Sequence, residues 1–287
     1  MKSRRQLELH RRSLGEIRAI MNAMKNLAYM ETRKLDRFLA AQHAVLDGIE
    51  AVANDFVTAF PEALPETPPG KDIYLLIGSE RGFCGDFNEA LLRHLQLVER
   101  NSAAADAAVL IATGHKLHAP LEDDPRVVAQ LDGASVVEEV KSVLAFLVDT
   151  LVTLQAQYGA PRLYALYHGD DEGHPLTRKL LPPFQDHAHR ATGFSQPPLL
   201  NLAPPDFLVQ LSDHYLFAAL NEILYTSLMA ENQRRVRHLD SAVDHLDGRA
   251  AELARQSNAR RQEEIIEEIE VILLSAASLT KASPERH

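Results

Sequence analysis

A glycine-containing turn, Gly78-Ser-Glu-Arg-Gly-Phe-Cys84-Gly85, lies between an apolar run and a helical pattern. Backbone amides in that position can cradle a phosphate. The spacing fits neither G-x-G-x-x-G nor the lysine-bearing G-x-x-x-x-G-K-[ST]. The next strand ends in Thr113-Gly114 rather than in an acid suited to a ribose hydroxyl. The residues therefore favour a structural turn over a nucleotide site. Cys84 as a nucleophile would need a lowered pKa and a neighbouring base, and the sequence places neither. His115 and His118 are spaced to share a helix face, and His187 and His189 a strand face. With no further ligand placed beside them, neither pair defines a metal site. Glu122-Asp123-Asp124 and Asp170-Asp171-Glu172 read as solvated loops. No catalytic residue, cofactor site or metal ligand set is expected.

Cationic and amide donors form a second class of chemistry, that of gripping another protein. Arg33, Lys34 and Arg37 cluster early, Arg234, Arg235 and Arg237 cluster late, and Arg261-Gln262 lies within Asn258 to Ile269. A guanidinium fork beside an amide can hold acidic loops of a surrounding chain. Local pairing with Glu264, Glu267 and Glu268 is the competing reading.

The elements that must position these groups are two long helices. Asp206 to Ser283 is 78 residues without proline and with one glycine, Gly248. Val236, Leu239, Val243, Leu246, Ala250 and Leu253 step by three and four along one seam. Unbroken, such a helix reaches on the order of 110 Å. From Leu14 to Phe56 a strict heptad series (14, 17, 21, 24, 28, 31, 35, 38, 42, 45, 49, 52, 56) is apolar at 11 of 13 positions, interrupted by Glu31 and Gln42. Those two are expected to fix register or face a third partner. Pro61, Pro65, Pro68, Pro69 and Gly70 end the first helix.

Between the helices the texture changes. Asp72–Ile77, Ala107–Ala112, Val127–Leu131 and Pro161–His168 read as strands. Helical patterns run from Phe87 to Val98 and from Val136 to Tyr158, and Asp170–Pro205 reads as loop with room for one more strand. Alternation of this kind predicts a small Rossmann-like α/β domain with a parallel or mixed sheet. The expected fold class is thus α/β plus a long antiparallel coiled coil: helix 1–60, linker 61–71, α/β domain 72–205, helix 206–283. The second helix should overhang the first by ~20 residues, roughly 30 Å. The apolar positions Ile265, Ile269, Ile272, Ala276 and Leu279 in that overhang are out of phase with the upstream heptad, as if meeting a partner of different geometry.

Composition bounds the rest. The chain has 287 residues and a net charge of −10, which disfavours a general nucleic-acid binder. Residues 1–40 carry ten Lys/Arg against four Asp/Glu, a balance of +6, leaving −16 to the remainder. A basic first helix seeks an acidic surface. A lone cysteine excludes an internal disulfide and fits a reducing compartment. Met1-Lys-Ser-Arg-Arg lacks the apolar region of a signal peptide, and apolar runs fall short of the ~20 residues that span a bilayer. The chain is expected to be soluble, or peripheral to a membrane through other proteins.

Three segments resemble one family, the gamma chain of F-type ATP synthases. Ile20-Met-Asn-Ala23-Met24-Lys25-Asn-Leu27-Ala28 is similar to the first-helix pattern I-T-K-A-M-x-M-V-A. Ser79-Glu-Arg81-Gly82-Phe-Cys84-Gly85-Asp-Phe-Asn88 is similar to S-D-R-G-L-C-G-G-L-N, the most specific of the matches. Asn258 to Ile269 resembles N-x-A-R-Q-x-x-I-T-x-E-I. The resemblance implies a non-catalytic rotor whose paired helices form an asymmetric axle inside an alpha/beta hexamer. Epsilon stands alongside and the membrane c ring lies beneath, without direct membrane insertion of this chain, on the cytoplasmic face of the bacterial inner membrane. It carries Met24, Arg261 and Gln262 onto beta-subunit contacts, and Leu200, Asn201, Leu202 and Asp206 onto the foot that meets the ring. It makes Arg81, Gly82, Cys84 and Gly85 the family turn. Asn26, Met30, Glu31, Ile266, Asp86 and a foot without its usual aromatic and acidic residues depart from the pattern. They suggest a divergent bacterial member of the alternate branch associated with sodium translocation. An enzyme or nucleotide-binding protein built on the α/β domain and dimerised by a coiled coil is the rival reading, and a plain coiled-coil scaffold a third.

Overall fold

The computed structural model describes residues 4–64, 70–100, 108–159, 161–169, 174–185 and 198–281, with side chains described to residue 274. His187 and His189, the 170–172 acidic run and most of the proline cluster lie outside them. Two helices are far longer than the rest: α1 (Arg4–Ala59, 56 residues) and α4 (Pro204–Lys281, 78 residues). Helix α4 begins two residues before the expected Asp206. Pro204 and Pro205 occupy the first positions, where a missing N–H costs nothing, and Asp206 faces the positive end of the helix dipole. The chain forms two compact units, residues 27–238 and residues 1–26 with 239–287.

The larger unit contains a five-stranded sheet of order β3-β2-β1-β4-β5. The strands are β1 (Asp72–Ile77), β2 (Val109–Thr113), β3 (Val127–Leu131), β4 (Arg162–His168) and β5 (Pro175–Leu181). The first four are parallel and β5 is an antiparallel edge, so the one extra strand anticipated between residues 170 and 205 is present. Strand alternation divides the core. Tyr74, Leu76, Leu110 and Ala112 pack with Leu91 and Leu95 of α2 (Phe87–Arg100). Ile73, Leu75, Ile77 and Ile111 pack on the other face with α3 (Val140–Tyr158) and the portions of α1 and α4 that belong to this unit. The two long helices run antiparallel here: Phe38 stacks on Tyr225 at 5.6 Å, and Asn221 Nδ2 donates to Gln42 Oε1 at 3.0 Å. Gln42, expected to fix register or face a third partner, thus bonds across the helix pair.

Here the heptad reading of α1 needs correction. Its first leg holds, with Ala28, Leu35 and Phe56 buried, but Ile17, Phe38, Val45 and Val52 are exposed. In the larger unit the second leg moves one residue on, to Leu39, Leu46 and Ala53. A coiled-coil seam meets one partner. In the larger unit α1 meets both α4 and the sheet-side core, and a wider stripe shifted toward the sheet satisfies both. For the same reason α4 is buried on all sides from Glu222 to Asn232.

The smaller unit is an antiparallel helix pair. Arg18 pairs with Asp247 through two bonds, and Lys25 Nζ donates to Asp240 Oδ1 at 2.7 Å. Part of the acidic surface sought by the basic first helix is therefore this chain's own α4. Both pairs are consistent with one register, which sets Arg4 opposite Arg261. Beyond that point α4 continues to Lys281, and side chains 261–274 are all exposed.

Candidate functional site

The family-type turn is built on a buried ion pair from α4. Gly78 closes β1, and a Cβ there would come within 2.4 Å of the Leu117 side chain. Its N–H donates to Thr113 O at 2.8 Å, and that of Ser79 donates to Asn88 Oδ1 at 2.9 Å. The amides of Glu80 and Arg81 both donate to the Glu231 carboxylate, at 3.2 and 3.3 Å. Four successive amides that could have held a phosphate are thus already occupied within the chain. Gly85 takes φ +67°, a left-handed conformation suited to glycine, and leads into α2.

Glu231 and Arg235 lie one turn apart on α4, each under a tenth exposed, and bond to one another. Arg235 also donates to the carbonyls of Gly82 (3.1 Å) and Arg81 (3.3 Å) and to Asn232 Oδ1 (2.9 Å). Burial pushes the Glu231 carboxyl up, opposed by Arg235 and the two amides. Every partner of this pair is a turn backbone group or an α4 side chain, so its chemistry is attachment: it fastens the end of β1 to α4. Arg81 itself reaches away, donating to Ser135 Oγ at 2.9 Å.

A second attachment lies at the sheet edge. Arg178 of β5 pairs with Glu50 of α1 at 2.8 Å and with Glu222 of α4 at 3.1 Å, tying the edge strand to both long helices. Nothing in the sequence patterns marked Arg178, Glu222 or the role of Glu231 and Arg235. A usable signal existed: charged residues inside an otherwise apolar stretch of α4, where an unpaired charge would be prohibitive.

Cys84 is buried, with Sγ near Ser79 Oγ (3.4 Å) and Arg81 O (3.6 Å). Burial pushes its thiol pKa up, the opposite of what a nucleophile needs. Alkylation of Cys84 is therefore expected to run roughly a hundredfold or more slower in the folded chain than in denaturant. Comparable rates in the two conditions, followed by mass spectrometry, would contradict this placement.

The remaining residues singled out from the sequence do not converge. Met24 is half-buried in the smaller unit, whereas Arg261 and Gln262 are exposed. The helix register sets Met24 beside Ser241, about 30 Å of helix from Arg261. The neighbouring Arg260 pairs locally with Glu263 at 2.8 Å. Past Arg261 the exposed residues include Ile265, Ile266, Ile269, Val271, Ile272, Leu273 and Leu274. Contiguous apolar surface on a helix end marks a surface made to be covered. Leu200 packs against the core of the larger unit, Asn201 and Leu202 are exposed, and Asp206 opens α4.

Comparison with known proteins gives a consistent picture. One family model, described as ATP synthase, matches residues 3–279. The ATP synthase gamma chain of Streptomyces coelicolor is 25% identical over 97% of each chain. That of Clostridium beijerinckii is 25% identical over 95% of this chain and 97% of its own. Among solved structures, a chain of the Tetrahymena thermophila mitochondrial ATP synthase central stalk and c-ring superposes with a TM-score of 0.56 at 16% identity, covering 78% of this chain and 99% of that one. A chain of the Euglena gracilis mitochondrial ATP synthase gives 0.54 at 15% identity, covering 92% and 98%.

Proposed function

This chain belongs to the ATP synthase gamma family, and on that premise we propose that it works as the central-stalk rotor, carrying torque between a membrane ring and a catalytic hexamer. It is a non-catalytic subunit, since catalysis in such complexes resides in the beta subunits. Its partners are the alpha and beta subunits and the c ring, with epsilon alongside the stalk. No helix among the described residues is long and apolar enough to cross a membrane. We place its attachment as peripheral, through the complex, on the cytoplasmic face of a bacterial inner membrane.

The observation that carries this reading is the exposed apolar end of α4, where Ile265, Ile266, Ile269 and Leu273 face solvent. Among the described residues the apolar side chains there are exposed, which suits an axle tip held inside a ring of other subunits. Transmission then has a plain physical route. Torque on the sheet domain enters α4 at the Glu231–Arg235 and Arg178–Glu222 attachments and passes along one continuous helix. The helix pair presents different side chains to each side, so it binds three otherwise equivalent sites unequally and shifts their states in turn.

Within this scheme Arg261 and Gln262 engage a beta-subunit catch, Met24 contacts a beta-subunit lever, and Leu200, Asn201, Leu202 and Asp206 lie at the foot facing the ring. Substituting both Arg261 and Gln262 with alanine removes charge-assisted bonds of ~1.5–3 kcal/mol each. In the reconstituted complex, ion pumping per ATP hydrolysed should fall severalfold. Both side chains are exposed, so the thermal melt of the chain itself should not move. Unchanged pumping would remove these two residues from the contact.

A further inference from the structure

We infer that His115, His118 and Asp132 form a binding site for a divalent transition cation of the zinc type on the larger unit. A nitrogen of each imidazole and an oxygen of the carboxylate lie within 4.8 Å of one another. The rings meet edge-on with centroids 5.3 Å apart, and His115 Nδ1 is 4.0 Å from Asp132 Oδ1. Ligand atoms around tetrahedral zinc sit ~3.3 Å apart at bond lengths near 2 Å. Closing the set asks for ångström-scale side-chain rotations at a surface where His115 and Asp132 are free to make them.

The sequence showed only the histidine pair. Topology supplies the third ligand: β2 and β3 are parallel neighbours, so the turn after β2, carrying both histidines, lies beside the turn after β3, carrying Asp132. The backbones of these two turns are fixed to each other. One Glu80 oxygen accepts the amides of His115 (2.9 Å) and Gly133 (2.7 Å), and Gly114 N–H donates to Leu131 O at 2.8 Å. Gly114 has φ +108°, and a Cβ there would meet Gly78 O at 2.7 Å, so the turn has little room to relax.

His118 Nε2 lies 3.2 Å from the same Leu131 carbonyl. A carbonyl only accepts, so Nε2 carries the proton and Nδ1 keeps its lone pair for a metal. A ligating histidine commonly shows this arrangement, with its second nitrogen donating to a backbone carbonyl. Two imidazoles select against calcium and magnesium, which take sets of oxygen ligands, and favour zinc with water completing the tetrahedron. Bound there, the ion would staple the turns that follow β2 and β3.

The test uses the full chain stripped with chelator and titrated with zinc chloride against a competing chromophoric chelator. One equivalent is expected to bind, and His115→Ala, His118→Ala and Asp132→Ala should each weaken it at least about tenfold. His245→Ala, which alters an exposed histidine elsewhere, should not. Cobalt in place of zinc should give the intense visible bands of tetrahedral coordination in the parent chain and lose them in His118→Ala. Zinc should raise the Tm of the parent and not that of the variants. Absence of a stoichiometric site, or zinc affinity and cobalt spectra unchanged by the three substitutions, would overturn the assignment.

Discussion

Arg235→Ala is expected to destabilise the larger unit by about 3–5 kcal/mol, a large share of a typical domain's total stability. The cost is set less by the lost bonds than by what remains. Glu231 would stay buried without its counter-charge, and the Gly82 and Arg81 carbonyls would each lose a donor. Glu231→Ala should be similarly damaging, since it frees the Glu80 and Arg81 amides and leaves the guanidinium unpaired. The double substitution should lose clearly less than the sum of the two, because neither residue then leaves the other as an uncompensated charge. Urea unfolding followed by tyrosine fluorescence measures all three. Strictly additive losses, or a loss under about 1 kcal/mol for Arg235→Ala, would mean that the pair does not hold the turn to α4. The same variants should lower torque transfer in the assembled motor, because this buried pair is one of the attachments through which the sheet domain grips the helix.

Inserting Gly-Pro after Val243 should have the largest functional effect. Proline within a helix removes a backbone bond and clashes with the preceding turn, at ~3 kcal/mol or more, and the glycine adds up to about 1. Two extra residues also rotate everything beyond them by about 200°, so Leu246, Ala250 and Leu253 leave the face that meets α1. The Arg18–Asp247 pair lies past the insertion and should break, whereas the Lys25–Asp240 pair lies before it and should survive. In reconstituted complexes, ATP hydrolysis should persist while ion pumping drops to background. The larger unit should still melt as in the parent chain. Pumping retained at more than a small fraction of the parent level would be incompatible with α4 as the torque-bearing element.

The cost of the Arg235 and Glu231 substitutions is set by burial, which the heptad pattern does not show. In the sequence Arg235 reads as one of three arginines in a cationic cluster suited to gripping another protein. Burial separates them: Arg235 is inside, Arg234 reaches Asp86 at 2.8 Å, and Arg237 is exposed. Likewise Phe38, Val45 and Val52 satisfy a heptad on paper. A repeat cannot reveal that the helix faces a sheet as well as another helix.

Taken alone, the sequence determined the long-range plan: two long helices of unequal length, an alternating α/β segment between them with a parallel or mixed sheet, and an apolar stretch at the C-terminal side. Periodicity and proline placement carry that information, because helix and strand geometry repeat locally and every residue votes. Tertiary structure alone decided which charges are buried in pairs, how the seam of α1 shifts to meet the sheet, and that Asp132 stands beside two histidines. Those facts depend on residues such as Glu80 and Gly133, or Arg81 and Glu231, whose separation along the chain exceeds any repeat, and only the closing of the fold brings them within a hydrogen bond's reach.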